Sequence, residues 1–304
     1  MGTPEDERRH EPGGEQLWNE SWYFDFAAED GSIGGYVRLG LYPNLGVAWY
    51  WGYLVREGEQ LLSVRHHEAK VPKGDVLEVR EDGLWSQLHC ETPNDHWTIG
   101  LEAFAVGLDD PGVAYDEDPR GDKVPLGLDL EWQAQGPVYD YPGVARYEQS
   151  CLVTGEVLVG NQAISFDGWG QRDHSWGVRD WWGTGWVWTS GRLDDGTAFH
   201  ATKVETDRFD FEPGYVVRPG AVDALEVATQ FKPSYEQIGE HRFPGITAMA
   251  LHDLDITCTP LLLAPIRLDS PDGRMGRFPR ALCRYDAADG RSGHGWTEWN
   301  RPGS

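Results

Sequence analysis

"GWVWTSGRLDDGTAFHATKVE", residues 185–205, carries the reading of the fold. Its first half alternates with period two, so that on an extended chain Trp186 and Trp188 share one side and Val187 and Thr189 the other. Asp195-Gly196 interrupts the pattern, and a second alternating run follows over 197–205. Asp-Gly between two such runs signals a β-hairpin, because a tight turn needs backbone angles that glycine adopts without strain. The same grammar recurs in "GYVRLGLYP" (35–43), "GVAWYWGYLV" (46–55), "LGLDLEWQ" (126–133) and "EVLVGNQAISFDG" (156–168), with further Asp-Gly turns in 81–85, 271–275 and 288–292. Helical periodicity is almost absent, and short helical pieces are expected only near 108–116 and 233–239. Many short strands with regular turn signals define an all-β fold, a sandwich or barrel.

The opening stretch also has an echo. Residues 46–64 can be laid against 183–202, which sets Trp49 and Trp51 against Trp186 and Trp188. Two related β-domains are the expectation, divided in the Pro/Gly-rich region that begins with "QGPVYDYPG" (135–143). The partition is then a flexible tail over 1–16, an N-terminal β-domain over 17–150 and a C-terminal one over 151–304. The tail, "MGTPEDERRHEPGGEQ", is polar and lacks the apolar core of a signal peptide.

Composition removes several functions. Lys and Arg number 26 against 50 Asp and Glu, a net charge of −24 over 304 residues. Such a surface repels nucleic acid and anionic membranes, and no apolar run is long enough to cross a bilayer. The four cysteines, Cys90, Cys151, Cys258 and Cys283, are widely separated. They read as reduced thiols of a cytoplasmic protein. No metal or other cofactor is expected: the adjacent histidines of "RHHE" (65–68) diverge on a strand and read as a solvated edge. What stands out is aromatic content, 15 Trp, 12 Tyr and 10 Phe. That exceeds what a core of this size needs and suits an apolar pocket for a hydrophobic small molecule.

Candidate chemistry sits in "GWGQRDHSWGVRDWWG" (168–183), where a histidine, two Arg-Asp pairs and four tryptophans lie between glycines. On a strand Arg172, His174 and Trp176 face one way, Asp173 and Ser175 the other, so these neighbours cannot form a Ser-His-Asp triad. No G-x-S-x-G elbow occurs either. In one reading His174 and Asp173 are catalytic in an apolar cavity of the second domain. Trp176, Trp182, Trp186, Trp188, Arg172 and His200, with Trp49 and Trp51, then bind substrate. A carboxyl there has a raised pKa and can donate a proton to an alkene or carbonyl. In the other reading the motif is architecture, with Arg172/Asp173 and Arg179/Asp180 as buried ion pairs. Arg179 and Asp180 fit that second role best, and Glu298 of "GWTEWN" (295–300) is a further buried-carboxylate candidate.

The run "GWGQRDHSWGVRDWW" resembles the G-x-R-D-H-x-W-G signature of the lipocalin-like, two-domain AttH/carotenoid 1,2-hydratase superfamily. "RYEQSCLVTGEV" before it, "DDGTAFHA" after it and "RFPRALCRY…GHGWTEWN" near the end fit the same pattern. The resemblance implies two calycin-type antiparallel β-barrels side by side. Among the better-known relatives are carotenoid hydratases, tocopherol cyclase-like proteins and fungal Diels–Alderases. It also implies a bulky apolar terpenoid, steroid or polyketide-like substrate, hydration, cyclisation or isomerisation without a cofactor, or else a carrier of hydrophobic ligands without turnover.

Overall fold

The computed structural model describes residues 2–205, 211–218, 221–224, 228–238, 241–251 and 253–300. The first eleven strands are β1 (Trp18–Ala28), β2 (Ile33–Tyr42), β3 (Val47–Arg56), β4 (Leu61–Ala69), β5 (Leu77–Glu81), β6 (Leu84–Thr92), β7 (His96–Leu108), β8 (Asp122–Ala134), β9 (Tyr139–Asp140), β10 (Arg146–Val159) and β11 (Gln162–Val178). They form one antiparallel sheet in the order β4-β3-β2-β1-β11-β10-β8-β7-β6-β5, with β9 on β10. Leu61 to Ser63 of β4 also pair with Val106 to Leu108 of β7, so the sheet closes on itself into a ring.

After β11 come β12 (Gly185–Leu193), β13 (Ala198–Glu205), β14 (Gly214–Arg218), β15 (Ala221–Ala224), β16 (Ala228–Ile238), β17 (His241–Leu251), β18 (Leu254–Leu263), β19 (Ile266–Asp269), β20 (Met275–Phe278), β21 (Arg280–Ala287) and β22 (Ser292–Asn300). Nine of them make a second antiparallel sheet, β15-β14-β13-β12-β22-β21-β18-β17-β16, and β19 with β20 is a separate hairpin. Its end strands β15 and β16 are not paired with each other among the described residues. The four expected Asp-Gly turns join β5–β6, β12–β13, β19–β20 and β21–β22, with φ of 74°, 86°, 85° and 95° at Gly83, Gly196, Gly273 and Gly290, and Asp30-Gly31 adds a fifth between β1 and β2 with φ of 71° at Gly31.

One core fills the ring, with Trp22, Phe24, Phe26, Leu39, Trp97 and Trp132 among its members. A second lies between the sheets and joins Tyr36, Trp49, Trp51 and Tyr53 of the first to Trp188, Leu282 and Trp296 of the second. The two W-x-W strands, β3 and β12, therefore both contribute indoles to the same junction. A third core lies within the second sheet around Phe199, Cys258, Cys283 and Trp299. Because β1, β2 and β3 are covered on both faces, nearly every residue along them is buried.

The structure corrects three expectations. The sheets divide between Val178 and Gly185, where the partition had been expected at 150/151; β10 and β11 extend the first sheet because β11 is the partner that β1 needs on its other edge. The opening segment is not a free tail: Pro4–Glu7 forms a 3-10 turn, and Glu7 is buried against Arg172. Residues 233–238 are strand, part of β16, where a helical piece had been expected, and 239 lies outside the described residues. The piece near 108–116 is a 3-10 turn, Pro111–Tyr115, capped by the Asp110 side chain on the Gly112 amide.

Candidate active site

β11 carries the motif and its alternation is as expected, but the cavity is on the opposite face. Arg172 and His174 point toward the end of the ring closed by the N-terminal segment. Asp173 and Ser175 point between the sheets. There they border a cavity of about 280 Å³, walled by Trp51, Trp181, Trp186 and Trp188 together with Tyr23 and Tyr141.

Asp173 is the chemical centre of that cavity. Its carboxylate lies 2.9 Å from the Arg146 guanidinium. Burial nevertheless pushes its pKa up to about 7; Arg146 opposes the rise and the cross-strand neighbour Glu148 reinforces it. Glu148 goes the other way. Burial acts against its charge, but Arg146 at 2.6 Å and hydrogen bonds from Gln171 (2.9 Å) and Trp188 (3.0 Å) hold it below the ordinary range. Two carboxyls that share one arginine thus have their acidities driven apart, and the proton resides on the one that faces the cavity.

His174 is fully buried away from the cavity. Its Nε2 is 2.9 Å from Glu20, its Nδ1 is 3.1 Å from the Tyr147 hydroxyl, and its ring stacks on Trp22 with centroids 4.4 Å apart. Burial depresses its pKa despite Glu20, so the ring is neutral. This corrects the expected cavity position: hydrogen bonds occupy both nitrogens, and the residue packs a core. Trp176 stacks on His10 on the same face. Arg172 pairs with Glu7 (2.7 Å) and Gln149 (2.6 Å), so the expected Arg172/Asp173 pair does not form. Neither does Arg179/Asp180; Asp180 pairs with Arg274 at 2.9 Å, while both motif residues border the cavity.

Of the tryptophans expected to bind substrate, Trp51, Trp186 and Trp188 line the cavity; Trp49 and Trp182 pack beside it in the junction core. His200 stands one shell back, its Nε2 2.6 Å from the Tyr141 hydroxyl and its Nδ1 2.9 Å from the Thr189 carbonyl. Burial takes its pKa down to about 4. Glu298 does face the cavity, bonded to Arg280 (2.6 Å) and the Trp186 indole (2.7 Å). His67 of "RHHE" is no solvated edge, because it accepts a hydrogen bond from Trp51 (2.8 Å) and lies against Trp49.

Sequence reasoning missed Arg38, Arg146, Glu148, Tyr141 and Asp25. Asp25 is buried beside the cavity, its carboxylate bonded by Tyr23 (3.1 Å), Ser190 (3.2 Å) and the Gln171 amide (2.7 Å), and burial lifts its pKa to about 7. The signal for Asp25 and Arg38 was present: each is a lone charge in an apolar strand, "YFDFAA" (23–28) and "GYVRLGLY" (35–42).

Among the described residues His10, Glu20 and His174 place potential metal-ligating atoms within 4.8 Å of one another, a grouping the metal-free expectation did not foresee. Their hydrogen bonds to each other already account for the geometry. No helix among the described residues is long and apolar enough to cross a membrane.

The arrangement of two large antiparallel sheets is similar to that of several solved structures. A protein from Nitrosomonas europaea described as an AttH superposes with a TM-score of 0.65 at 16% identity, over 95% of this chain and 94% of its own. Kievitone hydratase from Nectria haematococca gives 0.60 at 11%, covering 94% of this chain and 89% of its own. CghA gives 0.59 at 11%, covering 94% and 88%. The chain itself belongs to the family Domain of unknown function (DUF7064), which spans its residues 3–303. No curated protein sequence matches it.

Proposed function

We propose that this protein is a cofactor-independent enzyme of the hydratase or cyclase type. It acts on a bulky apolar compound, and Asp173 moves the proton. The observation that carries this is a carboxyl with a pKa of about 7 facing a tryptophan-walled cavity. A carrier needs the walls but has no use for a half-protonated acid among them. The fold shared with kievitone hydratase supports the same reading.

The chemistry balances with groups the cavity holds. The Asp173 carboxyl gives its proton to one carbon of an alkene, leaving a carboxylate and a cationic carbon. The indole faces of Trp51, Trp186 and Trp188 stabilise that cation. Capture by water, which returns a proton to Asp173, is hydration. Capture by a second double bond of the same molecule, followed by proton loss to Asp173, is cyclisation, and direct proton loss from a neighbouring carbon is isomerisation. Glu148 stays ionised and keeps Arg146 in place, so the proton goes to and from Asp173 alone.

The test is a panel of prenylated phenols, linear terpenoids and polyenes incubated with the protein in ¹⁸O-water and followed by mass spectrometry. A product heavier by one labelled water is hydration; an isomer of unchanged mass is cyclisation or isomerisation. Asp173→Asn should abolish either product while the compound still quenches tryptophan emission. Undiminished turnover in Asp173→Asn refutes the role of Asp173. Quenching by compounds that no form of the protein ever converts would mean a carrier.

A further inference from the structure

The charges around the cavity do not cancel. Arg280 is matched by Glu298, Arg146 by Asp173 and Glu148, and Asp180 by Arg274. Among the described residues Arg38 and Arg179 have no carboxylate within ion-pair distance, although both feel the charge of Asp173 at longer range. Arg38 is 3% exposed, and neither of its terminal nitrogens has a hydrogen-bond partner of normal geometry among the described residues. Its guanidinium carbon lies 4.4 Å from the centroid of the Trp51 ring and 5.2 Å from that of Trp181, contacts that do not consume its N–H donors. The nearby Tyr42 hydroxyl is a weak hydrogen-bond contact of Arg38, but it is neutral, its pKa raised by burial against the charge and hydrogen bond of Arg38, and cannot balance the charge. Arg179, half-buried at the cavity wall, has as side-chain hydrogen-bond partners among the described residues the Val178 and Ala145 carbonyls, each at 3.4 Å. Burial and Arg146 bring its pKa down to about 10, so it is charged at neutral pH.

An unpaired guanidinium in a buried site is costly unless something is meant to meet it. This one occurs in a chain with a net charge of −24, where a carboxylate partner is the commonest thing to find. We propose that Arg38, backed by Arg179, is the anchor for a carboxylate on the substrate. The ligand is then an apolar compound with one acidic end, the acid on Arg38 and the hydrocarbon body along the tryptophans toward Asp173. A planar guanidinium whose two terminal nitrogens lack a partner of normal geometry matches the two oxygens of a carboxylate. This rests on the proton-transfer reading above and also removes a difficulty from it. Two unneutralised arginines would work against a cationic intermediate in an uncharged substrate, and a bound carboxylate cancels that repulsion.

The probes are 1-pyrenebutyrate and 1-pyrenebutanol, which share an apolar body and differ in the acid. Energy transfer from the cavity tryptophans to pyrene reads binding at pH 8 without any turnover. The acid should bind about ten-fold or more tightly than the alcohol, and Arg38→Met should bring the two together while the melting temperature shows the variant folded. If Arg38→Met does not fold, Arg38→Lys keeps the charge and loses the fork, and should forfeit most of the preference. Equal binding of acid and alcohol by the native protein overturns the anchor but leaves the cavity and Asp173 standing. A preference that survives both Arg38 variants places the anion elsewhere and also overturns it. If neither probe binds, the anchor and the proposed function fall together.

Discussion

Replacing Asp173 by Asn should make the protein more stable, by an amount that grows as pH rises from about 4 and levels off near pH 7. The folded carboxyl has a pKa of about 7 against 3.8 in the absence of its surroundings. A carboxyl whose pKa is raised by folding favours the native state below its unfolded value, and that contribution is lost as pH rises through the folded one. The window is therefore pH 4 to 7. With 1.36 kcal/mol per pKa unit, the ionised side chain works against folding by roughly 4 kcal/mol at pH 8. Asn keeps the shape, cannot ionise, and leaves Arg146 still paired with Glu148 at 2.6 Å. An unfolding entropy of roughly 2.1 cal/mol/K per residue gives about 0.6 kcal/mol/K for this chain, so the gain corresponds to about 6 °C. Differential scanning calorimetry of both proteins between pH 4.5 and 8.5 tests this. The two melting temperatures should coincide at the acid end and separate steadily toward pH 7, then run parallel. A constant difference, or a variant that falls below the native protein as pH rises, would show that Asp173 is ionised throughout and cannot donate a proton.

Three other outcomes follow from the same geometry. His174→Ala should lower stability by about 2–4 kcal/mol in chemical denaturation, since it opens a hole against Trp22 and strips Glu20 of one of its two histidines, yet leave pyrenebutyrate binding intact. Glu7→Ala should cost about 3–5 kcal/mol, because Arg172 stays buried with only Gln149 to meet it; a melting curve unchanged within error would return the opening segment to the status of a tail. Turnover, once a substrate is in hand, should fall as pH rises through about 7, when Asp173 loses its proton, and a rate flat from pH 6 to 9 would exclude it as the acid.

The strands were legible because their signals are local. Period-two alternation and Asp-Gly turns need no knowledge of the rest of the chain, and the four expected turns formed at Gly83, Gly196, Gly273 and Gly290. The parity of β11 was legible for the same reason. Which of its faces meets the cavity was not: that depends on β1 and β10 flanking it and on Glu7 and His10 reaching its far side from more than 160 residues away. His174 drew attention as a histidine among tryptophans, but a buried neutral histidine and a catalytic one look alike in sequence. Arg146 and Glu148 lie within "RYEQSCLVTGEV", but their meaning comes only from their register opposite Ser175 and Asp173 respectively. The expected boundary failed on similar grounds. A Pro/Gly-rich stretch marks a break in strand pattern, and nothing local says that the two strands after it return to the first sheet.

That return has a consequence for how the chain is made. β1 is among the first strands to be synthesised, but its second partner is β11, whose pairing with it runs to Val178. At a synthesis rate of roughly 5–20 residues per second, one edge of β1 waits about 8–30 s for its neighbour. During that interval a hydrophobic, fully extended edge bearing Trp18, Trp22 and Phe24 has no mate. A nascent chain arrested before β11 should therefore be captured by chaperones and prone to aggregate, while one arrested after Val178 can complete its ring. For the same reason, cutting the gene at residue 150 would yield two insoluble fragments rather than two domains.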